Sequence, residues 1–240
     1  VGGTSNDIMF GDDGLVAKLD PDDGSGVKVI GIGFGGVVPA GQFYDSDIRT
    51  VDLIITDVVA GDGNDILSGD AADDIILGGG GNDLMGGDVD PRLPTFERPT
   101  EISEDVMIGD GGKIVFDHRR FKSIATVIEP VIGTEFDDKI YGDNGNDYIF
   151  GGWGDDILAG GHGPNRGPTD PEASDNDVII GDNGELIFAD DSIMANFGRL
   201  ELIRTTDIAN DTGGADTAYG EEGADVILGG VKNEDGLGDP

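Results

Sequence analysis

The sequence predicts an all-β chain built from one small unit stacked on copies of itself. Three observations carry that expectation. An aspartate recurs every nine residues inside a glycine-rich frame, at Asp65, Asp74 and Asp83, at Asp138, Asp147 and Asp156, and at Asp216 and Asp225. A fixed short period is the signature of a repeat array. The apolar residues come as short triplets such as Ile75-Ile76-Leu77 and Val226-Ile227-Leu228, each closed by glycine. Such a triplet reads as a strand of about three residues and a tight turn. No stretch offers an amphipathic helix with caps.

A longer repeat lies above the short one. Residues 1–10 end a preceding block, and further blocks run over 11–108, 109–180 and 181–240, the last cut short. Each opens alike, as Gly11-Asp12-Asp13-Gly14, Gly109-Asp110-Gly111-Gly112 and Gly181-Asp182-Asn183-Gly184, after an apolar lead-in such as Asn176-Asp177-Val178-Ile179-Ile180. A β-rich segment follows, ending in Leu53-Ile54-Ile55-Thr56, Ile124-Ala125-Thr126-Val127 or Leu202-Ile203-Arg204-Thr205. The nonapeptide runs come next, over 60–86, 133–161 and 212–234. Pro-rich excursions close the first two blocks, from Asp90-Pro91 to Pro99 and from Gly163-Pro164 to Pro171. Proline blocks strand pairing, so these are expected as surface loops.

Composition narrows the function classes. Fourteen Lys and Arg against 50 Asp and Glu give a net charge of −36. Strong acidity with few aromatics ordinarily reads as disorder, but here glycines, acids and aliphatics hold a register. Nucleic acid is an unsuitable partner, because phosphate binding needs clustered Lys and Arg. No apolar run approaches the roughly 18 residues of a spanning helix, so membrane insertion is not expected. The absence of cysteine excludes disulfides and thiolate metal sites.

One clean copy of the unit reads Gly142-Asp143-Asn144-Gly145-Asn146-Asp147-Tyr148-Ile149-Phe150, and the next Gly151-Gly152-Trp153-Gly154-Asp155-Asp156-Ile157-Leu158-Ala159. This frame resembles the repeats-in-toxin (RTX) nonapeptide, Gly-Gly-x-Gly-x-Asp-x-U-x with U a large aliphatic. The resemblance implies a calcium-binding parallel β-roll, or β-solenoid. Six residues would form an ion-binding turn and three a strand, and two nonapeptides would complete a coil. Positions 18 apart would then lie one above the other. That spacing pairs Asp65 with Asp83, Asp138 with Asp156, Asp207 with Asp225, and Glu129 with Asp147. Asp7, Asp105 and Asp177 hold the acid position just before each block junction and would cap each roll. Glycines of the turns, Gly61, Gly63, Gly79, Gly81, Gly145, Gly152 and Gly154, would complete the sites. Ala71-Ala72 and Phe136 depart from the frame where it calls for small loop residues, weakening individual sites.

The physics of such a stack is independent of the resemblance. Neighbouring strands lie roughly 4.8 Å apart. Carboxylates at that distance repel by about 3.5 kcal/mol per pair at an effective dielectric near 20. Several such pairs would cancel a domain's stability of about 5–15 kcal/mol. A divalent ion between them reverses the sign. Carboxylates with turn carbonyls form a hard oxygen set, which favours Ca²⁺ over zinc or copper, and over magnesium, which keeps its waters. Several calcium ions are therefore expected. Asp12, Asp110 and Asp182 sit in tight junction turns, where a turn role and a ligand role both fit.

Other motifs carry less. Gly31-Ile32-Gly33-Phe34-Gly35-Gly36 has dinucleotide-fingerprint spacing but opens no helix. Asp20-Pro21-Asp22-Asp23-Gly24 has its glycine one place early for an EF-hand loop. His118 and His162 are expected as exposed loop residues. No nucleophile motif is present, so catalysis has no candidate. Basic residues concentrate outside the nonapeptides, at Arg92, Arg98, Arg119, Arg120, Lys122, Arg166, Arg199 and Arg204. They either pair with acidic neighbours or meet the acidic rolls of another block or chain. The resemblance further implies export from a bacterium and folding by calcium outside the cell. Two roles follow: a structural repeat region of a large surface protein (adhesin stalk, S-layer or filament, with self-association), or the carrier region of a secreted toxin or hydrolase.

Overall fold

The computed structural model describes residues 2, 4, 6–17, 51–56, 58, 62–92, 103–117, 120–127, 136–162, 175–189, 199–206, 213–221 and 223–230. Among them there are strands and turns and no helix. The strands arrive in three similar rounds. The first holds β1 (Ile8–Phe10), the antiparallel pair β2 (Gly14–Ala17) and β3 (Leu53–Thr56), then β4 (Ile66–Ser68), β5 (Ile75–Leu77) and β6 (Leu84–Gly86). The second holds β7 (Val106–Ile108), the pair β8 (Gly112–Asp117) and β9 (Arg120–Thr126), then β10 (Lys139–Tyr141), β11 (Tyr148–Phe150) and β12 (Ile157–Ala159). The third holds β13 (Val178–Ile180), the pair β14 (Gly184–Phe188) and β15 (Leu200–Thr205), then β16 (Thr217–Tyr219) and β17 (Val226–Leu228).

These strands form three open sheets. An inner parallel sheet runs β1-β5-β7-β11-β13-β17, and an outer parallel sheet runs β4-β6-β10-β12-β16. The chain alternates strictly between them. Every pairing within them is parallel and in register, as in Tyr148 with Val106 and Val178. The segments read as β-rich spacers are the antiparallel pairs, and they join into a third, six-stranded sheet ordered β15-β14-β9-β8-β3-β2. The Pro-rich excursions depart after β6 and β12, at the edge opposite the antiparallel pairs.

Side-chain alternation decides how the layers stack. The middle residue of each parallel strand points between the two parallel sheets. Ile76, Met107, Ile149 and Ile179 of the inner sheet meet Met85, Ile140 and Leu158 of the outer, all 0% exposed. The first and third residues of inner strands point the other way, onto the antiparallel sheet. There Ile75, Leu77, Val106, Ile108, Phe150, Val178 and Ile180 pack on Ile54, Ile114, Phe121, Ile124, Leu186 and Phe188. Tyr148 stands edge-on to Phe188 with centroids 5.5 Å apart. Because both faces of the inner sheet are covered, its strands read as unbroken apolar triplets. The outer sheet has one bare face, where Lys139 and Thr217 are exposed and Ile66 is half exposed.

Candidate metal centre

Every strand of the two parallel sheets follows an aspartate and precedes a glycine. The Asp-x-x-x-Gly frame starts at Asp7, Asp65, Asp74, Asp83, Asp105, Asp138, Asp147, Asp156, Asp177, Asp216 and Asp225. Parallel in-register pairing then stacks the acids into two ladders, one along each edge. On one edge, the backbone N–H of Asp7 donates to Asp74 Oδ1 (2.7 Å), Asp74 to Asp105 (2.7 Å), Asp105 to Asp147 (2.8 Å), Asp147 to Asp177 (2.9 Å) and Asp177 to Asp225 (3.0 Å). On the other, Asp65 donates to Asp83 (2.8 Å), Asp83 to Asp138 (2.7 Å), Asp138 to Asp156 (2.8 Å) and Asp156 to Asp216 (3.0 Å).

Each acid thus uses one oxygen to hold the next coil. The second oxygen has no such duty. Oδ2 of Asp74, Asp83, Asp105, Asp138, Asp147, Asp156, Asp177 and Asp216 is buried without a hydrogen-bond partner. A buried polar atom left unpaired costs about 1–3 kcal/mol, and a charged one more. These oxygens converge on glycines. A Cβ built at Gly142 would collide with Asp147 Oδ2 and the carbonyl of Gly160, and one at Gly151 with Asp156 Oδ2 and the carbonyl of Gly181. The same pairing recurs at Gly69, Gly78, Gly87 and Gly109.

Burial dominates the electrostatics. Desolvation, followed by the charge of neighbouring acids, pushes Asp74, Asp83, Asp177 and Asp216 up to about 7 and Asp156 up to about 10. Asp105, Asp138 and Asp147 stand well above the ordinary carboxylate range for the same first cause. No three His, Cys, Asp or Glu side chains converge on one point among the described residues, so backbone carbonyls must complete any ion's shell. Orphaned carboxylate oxygens beside carbonyls, in pockets a Cβ would fill, fit a hard cation such as Ca²⁺.

Asp65 and Asp83 are adjacent, as are Asp138 and Asp156, as the 18-residue spacing predicts. Elsewhere the spacing misleads. The neighbours of Asp147 are Asp105 and Asp177, and that of Asp225 is Asp177. Glu129 and Asp207, expected in those places, lie outside the described residues, as does Gly61. Asp7, Asp105 and Asp177 are the first, third and fifth members of one ladder rather than caps. The reason is that every insertion enters a nonapeptide turn early and leaves its acid behind. Gly109 stands against Asp138 across the β8–β9 pair just as Gly142 stands against Asp147, and Gly87 likewise faces Asp105 across a Pro-rich loop. The Asp-x-x-x-Gly frame is the sequence signal that survives these interruptions.

The predicted turn glycines are mostly required by backbone shape. Gly79, Gly81, Gly145, Gly152 and Gly154 have φ of 102°, 125°, 138°, 115° and 111°, where an L side chain is strained. Gly63 has no positive φ, and a Cβ there meets nothing within 4 Å. Ala72 takes φ 89° in a glycine's place. Phe136 fits, because its buried ring leaves its carbonyl against Gly154.

The expectation that His162 is exposed is overturned. Its side chain is 4% exposed and its Nδ1 lies 2.8 Å from Asp143 Oδ1. Asp143 also accepts the N–H groups of Asp88 (3.2 Å) and Val89 (3.0 Å), while the Ser103 hydroxyl donates to Asp88 (2.6 Å). This cluster ties the roots of both Pro-rich loops together, and packing there buries the ring. Of the basic residues, Arg92 pairs with Asp90 (2.5 Å), Arg199 with Glu201 (3.4 Å) and Arg204 with Glu185 (2.5 Å). His118, Arg98, Arg119, Arg166 and the motifs at 20–24 and 31–36 lie outside the described residues.

A family model described as the RTX calcium-binding nonapeptide repeat (4 copies) matches residues 57–89, 132–166 and 205–231. The chain therefore carries RTX repeats, which are structural elements that bind several Ca²⁺ ions per repeat region. No curated protein and no solved structure matches the chain.

Proposed function

We propose that this chain is the calcium-loaded, load-transmitting repeat region of a large secreted bacterial surface protein, wound as a parallel β-roll. The observation that carries it is the row of buried Oδ2 atoms, none with a hydrogen-bond partner, along the two acid ladders. The ligands are Asp7, Asp65, Asp74, Asp83, Asp105, Asp138, Asp147, Asp156, Asp177, Asp216 and Asp225, with carbonyls of the turn glycines. Calcium that binds only the closed coil stabilises it by mass action. A chain acidic throughout would stay extended where calcium is scarce and close where it is plentiful. Strong self-repulsion without ions supports that coupling.

A structural role rather than a catalytic one is supported by the layered build, in which each round lengthens all three sheets. Self-association is supported by the build of the parallel sheets, in which copies of one unit pair edge to edge throughout. Strand edges of this kind invite pairing with another copy. The test is a calcium titration of the 240-residue chain followed by circular dichroism and native mass spectrometry. The expected result is cooperative gain of strand signal with uptake of several ions, and reduced uptake in Asp147→Asn and Asp138→Asn. Full strand signal in excess chelator at neutral pH, or unchanged uptake in both variants, sinks the reading.

A further inference from the structure

Three turns that lead from the inner to the outer sheet are split by antiparallel pairs. Their first two residues, Gly11-Asp12, Gly109-Asp110 and Gly181-Asp182, precede the pair, and their ladder acids, Asp65, Asp138 and Asp216, follow it. The second residue is an aspartate in each, where the unsplit turns leading the same way have Gly79 and Gly152; the unsplit turns leading back carry Asp70 and Asp143, the latter occupied by His162 and the N–H groups of Asp88 and Val89. All three carboxylates take the same stance. A Cβ at Gly79 would meet Asp12, one at Gly152 would meet Asp110, and one at Gly230 would meet Asp182, in each case on the next coil. Asp12 Oδ2 accepts the N–H of Gly80 (3.2 Å) and Asp110 Oδ2 that of Trp153, both on the next coil, whereas Asp182 Oδ1 accepts that of Gly214 (3.0 Å) in its own split turn.

A turn-forming aspartate needs only that accepted N–H. Two observations exceed it. Asp110 is 3% exposed, and its Oδ1 is buried with no hydrogen-bond partner. The strongest charge acting on it is Asp138, followed by Asp156 and Asp83, all acids. Asp182 is 0% exposed, and its carboxylate lies within hydrogen-bonding reach of the Asp216 carboxylate. Asp12 repeats the arrangement in weaker form, under the charges of Asp62 and Asp65. In every case the charge of the ladder acid in the same split turn acts on the junction acid, and for Asp182 the two carboxylates are within hydrogen-bonding reach. Two desolvated carboxylates held together need a cation or a shared proton between them, and at neutral pH with calcium plentiful the cation competes best.

We propose that Asp110 and Asp182, with Asp12 in register, are calcium ligands in addition to the ladder acids. Each adds a carboxylate to the ion seated at its split turn, opposite Asp138, Asp216 and Asp65 respectively. The physical reason is that an antiparallel pair draws apart a turn whose carbonyls would otherwise crowd the ion, and an acid at the second position restores an oxygen. More ligand charge makes a tighter calcium site. The split turns are thereby the strong sites of the array. This inference rests on the reading that the ladder acids hold calcium.

Trp153 supplies a local probe, because it is the one tryptophan of the chain and its backbone N–H is bound to Asp110. Terbium replaces calcium at oxygen sites and emits when a nearby indole is excited. Asp110→Asn keeps the turn's acceptor and removes only the charge. It is expected to lower Trp153-sensitised terbium emission at least about fivefold, weaken calcium binding at one site at least about tenfold, and leave the strand signal at saturating calcium unchanged. Trp153→Phe is expected to abolish the emission while leaving the calcium count intact. Asp182→Asn, read by calcium count alone, repeats the test at a second turn. If both Asn variants bind calcium as the wild type does and Asp110→Asn keeps its emission, while Asp138→Asn loses both, the junction acids are turn formers and the inference falls alone. If Asp138→Asn is also silent, the ladder reading falls with it.

Discussion

The inner and outer parallel sheets are built from the same nonapeptide, yet one is buried on both faces and the other on one. Both place an aliphatic residue at the strand centre, Ile149 in one and Ile140 in the other, each 0% exposed. They differ in the flanking residues. Tyr148 and Phe150 border the inner centre, and Lys139 and Tyr141 the outer. The motif therefore sets the ladders and the seam between the sheets, while the two free positions of each strand decide whether a third layer can settle on it.

Removing calcium is the severest way to break that comparison. If ions hold both edges, excess chelator at neutral pH abolishes amide protection in β5, β7 and β11 together with β6, β10 and β12. Survival of the inner strands alone would mean that the antiparallel sheet, not calcium, holds them. Acid is the next strongest lever. Carboxyls such as Asp74, Asp83, Asp177 and Asp216, raised to about 7, prefer the proton in the closed form. Their contribution to the calcium-free fold is complete below the unfolded carboxylate range near 4, and fades as pH rises through about 7. Strand signal in calcium-free buffer should grow as pH falls from 8 to about 4.5, whereas calcium affinity should decline over the same interval. A calcium-free chain that loses strand signal on acidification contradicts this.

Side-chain truncation sharpens the contrast further. Phe150→Ala, which removes a ring buried between the inner and antiparallel sheets, should cost about 3–5 kcal/mol. Lys139→Ala, at the first position of an outer strand, should stay within about 0.5 kcal/mol. Equal costs in calcium-saturated denaturant titrations would deny that the two sheets differ in cover. A modest effect of opposite sign lies in a turn entering the inner sheet. Ala72 at φ 89° stands where Gly81, Gly145 and Gly154 stand elsewhere, so Ala72→Gly should stabilise by about 1 kcal/mol. A loss of midpoint stability would show that Ala72 is unstrained.

Much of this architecture is legible in the residues themselves. The nine-residue acid register, the glycine-closed triplets and the proline-marked loops point to an all-β array and to the ladder acids within each run. The connections between runs are not legible from spacing. Distance along the chain measures stacking only where the coil is uninterrupted, and Asp105 and Asp147 touch across 42 residues. The three-residue strand and its flanking Asp and Gly survive every insertion, because parallel pairing constrains them directly. The division into inner and outer sheets is written in the free positions, as Val178 and Ile180 against Thr217 and Tyr219, and becomes readable once successive triplets are known to alternate. The burial of His162 escapes a reading of its own neighbourhood, because it depends on Asp143 and on the loop roots, neither of which is local to it.

The antiparallel sheet grows in step with the layer it covers. Each round adds two strands to the inner sheet and two to the sheet lying on it, and both have six. Strand spacing is about 4.8 Å in either, so the layers keep pace. Duplicating or excising a full round preserves that match at any length, like links on a chain drive. Deleting a single coil leaves the cover one strand ahead of its support. Whole rounds, not nonapeptides, are therefore the heritable unit by which such a molecule can grow.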